Sequence, residues 1–347
     1  MTSGSDVSAD GNIDRITTSG VVTAYTATGL GGMLRGITSG PDAALWFASY
    51  GTDAIGQLTT SGALASFLGP GFDDSSGITV GPDGALWVTN YAGNSISQMT
   101  ASGTTTTFTG PGIDEPYGIT TGPDGALWFT NDGNSSIGRI TTSGSVADFT
   151  ANGVIDPKEI TAGPDGSLWF TDPASHGVGR ITTSGAVTIY NGEGFNDTLG
   201  IAAGSDGALW FTNGIDGIGR ITTSGTVTDY SGTGIASPTA ITAGPDGALW
   251  FTNGNNSIGR ITTDGVVTSY TKHGIDEPNA ITVGPDGALW FTDHKSERIE
   301  RITTSGQITM YTEAGTRHVD DITSGPDNAL WCTSPGNNSV VSISPET

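Results

Sequence analysis

Apolar and polar residues follow one another along this chain in short runs, without the three-to-four spacing of an amphipathic helix. Ala126-Leu127-Trp128-Phe129-Thr130 is four apolar residues closed by a threonine, the length and composition of a buried strand. It is preceded by Gly118-Ile119-Thr120-Thr121 and followed by two runs in which apolar and polar positions alternate, Ser136-Ile137-Gly138-Arg139-Ile140 and Val146-Ala147-Asp148-Phe149-Thr150. Turn chemistry separates them. Gly122-Pro123-Asp124-Gly125 combines a proline that fixes φ with a glycine that accepts positive φ, and Ser143-Gly144 is a short-hairpin signal. The pattern predicts four antiparallel strands, named A to D in chain order.

The same set returns down the whole chain. The strand B tryptophan recurs at 46, 87, 128, 169, 210, 250, 290 and 331, a period of 41 or 40 residues. Repetition of a four-strand unit at this period is the signature of a β-propeller. A linear stack would need atypical capping repeats at its ends, whereas these ends are complementary. The chain opens on a C-type run (13–18) and a D-type run (21–25), and closes on a B-type run (329–332) and a C-type run (340–344). Pairing first with last removes open sheet edges. The predicted fold is therefore all-β: a propeller of eight four-stranded antiparallel blades, one domain over 1–347, closed by pairing N-terminal strands with the C-terminal blade. Residues 1–10 are expected to be flexible. One terminal C run is surplus, and the sequence leaves open which of the two completes the last blade.

Composition narrows the function classes. The 55 glycines disfavour helix interiors, while eight Trp, eight Tyr and eleven Phe supply a core that disordered chains lack. The formal net charge of −23 opposes binding to nucleic acid or to anionic membrane, and no apolar run is long enough to span a bilayer. Eight of the 35 acidic residues are the aspartates of the A–B turns, so part of that charge is repeated turn chemistry. Cys332 stands alone and cannot form an intramolecular disulfide. No leader pattern opens the chain, and a soluble monomer is expected, cytoplasmic or secreted with its leader removed.

Residues that repeat from unit to unit, the tryptophan in all eight and Arg139, Arg180, Arg220, Arg260 and Arg301 in the GRITT-type strands, are read as packing. Positions that break the copy carry the functional signal. The first such series precedes strand A: Arg35, Ser76, Tyr117, Lys158, Leu199, Thr239, Asn279, Asp320. The second ends strand B: Ser49, Asn90, Asn131, Asp172, Asn213, Asn253, Asp293, Ser334. Both are expected to ring the mouth of the central channel. His318 stands near Asp320 and Asp321, where a metal or acid–base role competes with a solvated loop histidine. His294 lies in the charge cluster from Asp293 to Arg301, a candidate contact that reads more simply as an ion-pair network. Blades three and seven share Gly-Ile-Asp-Glu-Pro, which sets Glu115 and Glu277 on opposed loops suited to a hard cation, Mg²⁺ or Ca²⁺, or to plain turns.

The GPDGALWFT and GRITT-type motifs resemble the virginiamycin B lyase (streptogramin B lyase) family over essentially the whole chain. The resemblance implies a propeller, of seven blades in that family. It also implies a metal-assisted elimination that linearises a cyclic depsipeptide antibiotic, using a tyrosine before one strand A, histidines in Pro-His-Ala/Gly-Ile segments, and glutamates that hold Mg²⁺ or assist. Tyr117, in Glu115-Pro116-Tyr117-Gly118-Ile119, matches the tyrosine segment. Asn279, in Glu277-Pro278-Asn279-Ala280-Ile281, stands where the family has histidine, and an amide cannot take a proton near neutral pH.

The expected function is a binding or scaffold module. Arg35, Tyr117, Lys158, Asn279, Asp320, His318, Asp293 and His294 would face a small molecule or peptide at the channel mouth, with the family's lyase activity lost. Two alternatives stand beside it. One is a metal-assisted lyase with Tyr117 catalytic and Glu115 and Glu277 as metal ligands; the other is a recently amplified repeat scaffold without a dedicated site.

Overall fold

Each repeat folds into one antiparallel sheet because its central runs are short, apolar and bounded by turns that cannot continue a strand. In blade three the strands are Pro116–Thr121, Leu127–Asn131, Ser136–Ile140 and Val146–Thr150, hydrogen-bonded in the order A-B-C-D. The computed structural model describes residues 10–31, 33–50, 52–69, 71–272, 274–312 and 319–334, and these form eight such sheets. Each strand A lies against strand A of the next blade, including Ile322–Ser324 against Met33–Ser39, so the eight innermost strands close a ring around an axial channel. Among the described residues the one helical element is a short 3₁₀ turn, Pro173–Ser175, and no helix is long and apolar enough to cross a membrane.

The two ends of the chain build blade eight together. Ile322–Ser324 and Ala329–Ser334 supply strands A and B, and Asp10–Thr17 and Val22–Gly31 supply C and D. Pairing runs from Asn12 opposite Ser334 to Thr17 opposite Ala329. The N-terminal C run thus fills the place that the sequence offered to two candidates; residues 340–344 lie outside the described residues, as do residues 1–9. Packing across the seam matches the rest of the ring. In the C–D hairpin of blade one, Gly62 has φ +91° and a Cβ there would strike the Tyr25 ring of blade eight; Gly20 meets Tyr311 of blade seven in the same way.

The repeated residues form one bonding unit. In blade three the Trp128 indole donates to Asp124 Oδ1 at 3.0 Å, and Arg139 Nε donates to Asp124 Oδ2 at 2.7 Å. The guanidinium lies 5.8 Å over the indole, which stacks on Phe149 at 5.5 Å. The Asp124 carboxyl is held below its usual range: these bonds outweigh the burial that opposes ionisation. Each GPDG-type aspartate therefore ties its own turn to strands B and C. Side-chain volume is compensated within blades as well. Phe129 covers Gly138, whereas the smaller Val88 faces Ser97 and Cys332 faces Asp14.

Candidate functional site

Strand A carries an irregularity that aims the first variable series. In blade three the pairing passes from Pro116–Asn131 to Ile119–Phe129, so Tyr117 and Gly118 together oppose Thr130. Such a bulge re-aims side chains. Thr130 Oγ1 accepts from Gly118 N at 2.9 Å and donates to Lys158 O of blade four at 2.8 Å, which locks the bulge to its neighbour. Thr252 and Thr292 reach the carbonyls of Asn279 and Asp320 in the same way, each at 2.9 Å.

All eight members of the first series line one of two adjoining cavities. The first, of about 620 Å³, is polar and includes Arg35, Ser76, Asn279, Asp320 and Asp321; the second, of about 560 Å³, is mainly apolar and includes Pro173, Leu199, Ile201, Thr239 and Ile241. Tyr117 and Glu159 line both. The mouth is thus polar over blades seven, eight, one and two and apolar over blades five and six, with Tyr117 and Glu159 on the boundary.

Glu159 and Asp321 occupy one position in blades four and eight, where the other six blades have Gly36, Gly77, Gly118, Gly200, Ala240 and Ala280. Glu159 is open to the channel, yet protein surrounds it, and this desolvation raises its pKa, with the Asp321 charge adding. Burial pushes Asp321 up to about 6 although its carboxylate accepts from Ile322 N at 2.9 Å and from Ile37 N of blade one. Burial also raises Tyr117, and Glu159 adds to it. Sequence reading missed this acidic pair by stopping one residue short; the available signal was charge at a position otherwise glycine or alanine.

Beside Tyr117 a third cavity, of about 220 Å³, is lined by Arg35, Ser76, Tyr91, Tyr117, Asp132 and Lys158. Lys158 Nζ binds Asp132 at 2.8 Å and Asp156 at 2.6 Å and lies 5.4 Å from the Tyr117 ring centre. The hydroxyl of Tyr91, a B–C loop residue that no repeat pattern singles out, lies 3.0 Å from Asp132 and 3.2 Å from Glu115 and can donate its one proton to either carboxylate. Burial, then these two carboxylates, raises the Tyr91 pKa strongly.

A profile of the virginiamycin B lyase family matches residues 6–150, 69–232 and 195–347. The chain belongs to the virginiamycin B lyase family. Virginiamycin B lyase from Staphylococcus aureus, in selenomethionine-substituted form, is 34% identical over 75% of this chain and 94% of that one, with a TM-score of 0.64. A catalytically inactive histidine-to-alanine variant of the Staphylococcus aureus enzyme with quinupristin is 28% identical over 93% of this chain and 98% of that one, at 0.65. A streptogramin B lyase is 28% identical over 96% and 100%, at 0.64. Among curated proteins none matches.

Against the virginiamycin B lyase pattern, the residues singled out from sequence fall into separate places. Arg35, Tyr117, Lys158, Asn279 and Asp320 meet at the mouth, and Asn279 Nδ2 donates to Asp320 Oδ1 at 2.8 Å. The second series does not ring the mouth, because all eight of its residues are fully buried. Asn131 shows why: its amide oxygen accepts from Asp114 N at 3.1 Å, and its nitrogen donates to Gly112 O and to Ser136 Oγ. Asp293 likewise accepts from Asp276 N at 2.8 Å and from Ser296 N at 3.2 Å, so it staples loops and is closed to the channel. His294 is half-buried in that loop, where its backbone N–H donates to Glu277 O at 3.0 Å; it does not line the mouth cavities. His318 lies outside the described residues.

Among the described residues, the mouth brings no three carboxylates or histidines close enough to share one Mg²⁺ ion of the kind the lyase family implies. The Lys158 ammonium bridges Asp132 and Asp156. Glu115 faces the Tyr91 hydroxyl, whereas Glu277 pairs with Lys295 at 3.3 Å in the opposed blade, so the two glutamates belong to separate networks. Among the described residues, the three carboxylates that approach within 4.8 Å of one another are Asp53, Asp73 and Asp74, on loops of blades one and two.

Proposed function

We propose that this chain is a binding module that takes a small molecule or peptide at the channel mouth without the family's elimination chemistry. The observation that carries the reading is Asn279. It stands at the mouth where the family resemblance implies histidine, and its amide is hydrogen-bonded to Asp320. Elimination needs a group that accepts a proton near neutral pH, and a carboxamide is not one. The relative made catalytically inactive by a histidine-to-alanine change is consistent with that need. What remains is a recognition surface of adjoining polar and apolar cavities, within the size range of small-molecule pockets.

A second reading, a lyase with altered acid–base groups, is favoured by one observation: Glu159 and Asp321 line the polar cavity with Tyr117, desolvation raises the pKa of Glu159, and burial pushes Asp321 up to about 6. One experiment separates the two. Incubation with quinupristin and Mg²⁺, followed by mass spectrometry, is expected to leave the ring intact, while titration calorimetry over a panel of cyclic peptides and small molecules detects binding. Linearised product that disappears in Tyr117→Phe supports the lyase instead. A panel with neither binding nor turnover supports the bare scaffold.

A further inference from the structure

We propose that the channel mouth takes an amphipathic amine, its basic nitrogen held at Glu159 and its apolar body laid on Leu199, Ile201 and Ile241. The inference rests on the reading of the mouth as a binding site and names the class of ligand. Its basis is the division of the mouth. A ligand whose apolar part fills the 560 Å³ cavity of blades four to six ends at the boundary, where Tyr117 and Glu159 line both halves.

The charge it meets there is negative. In the polar cavity Arg35 is set against Glu159, Asp320 and Asp321, and in the apolar one Lys158 is already bound to Asp132 and Asp156. Among the described residues no protein group donates a hydrogen bond to the Glu159 carboxylate, which stands on the inner strand at the channel and is open to it. The Asp321 charge faces the same space, and an incoming ammonium supplies both opposite charge and N–H groups. A neutral ligand of the same shape leaves that carboxylate as it was, and an anionic one adds repulsion. Nor does the fold require an acid here. A Cβ at Gly118 or Gly77 would press on the next blade's carbonyl, yet Ala240 and Ala280 occupy the position without charge.

The test uses phenethylamine, with 2-phenylethanol and 3-phenylpropionate as neutral and anionic comparators, titrated into the full chain by calorimetry near pH 8, where alkylamines are still protonated. Phenethylamine is expected to bind about tenfold more tightly than the alcohol, a difference of about 1.4 kcal/mol, and the carboxylate weakest of the three. Glu159→Ala, which copies the residue of blades six and seven, should keep its melting temperature and bring the amine down to the level of the alcohol. Equal binding of amine and alcohol, or a preference that survives in Glu159→Ala, overturns the amine inference and leaves the mouth standing as a binding site. Failure of all three probes also overturns it, and the wider ligand panel then decides the binding reading separately.

Discussion

Arg15 donates to Asp327 at 2.6 Å across the seam where the two ends of the chain meet, and its guanidinium lies 5.7 Å over the Trp331 ring. Interior blades make this contact within one stretch of chain, as Arg139 does with Asp124. The seam therefore has the bonding of any other blade, and its stability depends on residues 10–31. Removing residues 1–31 leaves Ala329–Ser334 with an open edge. Loss of cooperative unfolding and concentration-dependent association in sedimentation velocity are expected. A truncated protein that stays monomeric and unfolds in one cooperative step would mean that another run fills the slot.

The buried asparagines of strand B make a prediction about loops. Asn131 bonds the D–A loop at Asp114 N and Gly112 O and the start of strand C at Ser136. Asn131→Ala deletes the partner and leaves buried backbone groups unmade, which costs about 1–3 kcal/mol. Urea denaturation should show that loss with an unchanged m-value. An effect under a few tenths of a kcal/mol would mean that water replaces the amide.

Lys158 offers a test of electrostatics at the mouth. Its hydrogen bonds to Asp132 and Asp156 outweigh the burial that opposes its charge, and they hold its pKa up. In Lys158→Met the two carboxylates face one another without a cation, so one is driven toward its protonated form. A folded-state pKa raised in this way gives stability that is present at low pH and lost as pH rises through it. The variant should match the parent near pH 4 and fall about 1–3 kcal/mol below it near neutrality. Adding Asp156→Asn should recover part of the loss, and a pH-independent deficit would point to packing instead.

Much of the fold was legible because it repeats. Eight copies of one turn-and-strand pattern state the strand count and the blade number, and the complementary ends state the closure. The choice of Asp10–Thr17 over the C-terminal run was not legible, since it depends on contacts such as Arg15–Asp327 that form only once the ring is closed. At the site, variation between blades located Tyr117, Lys158 and Asn279, but variation alone does not tell a channel residue from a buried one. Asn131 and Asp293 vary for loop stapling, and the burial that decides this is a property of the assembled blade. Tyr91 was invisible because B–C loops share no pattern from which it could depart.

Glu300 carries the last prediction. It fills the strand C position that is glycine at Gly138, Gly179, Gly219 and Gly259, and it is fully buried beside the fully buried Asp293. Burial first, then the neighbouring Asp293 charge, push its pKa up to about 8. An exposed glutamate in the unfolded chain titrates near about 4.3. The folded protein thus holds a proton that the unfolded chain releases, and the linked stability is full below about pH 4 and lost as pH rises through about 8. Glu300→Gln keeps the shape and removes the titration. Its melting temperature relative to the parent should therefore climb between about pH 4 and 8 and level off above. A difference between the two proteins that stays constant over that range would show that Glu300 ionises normally in the folded blade.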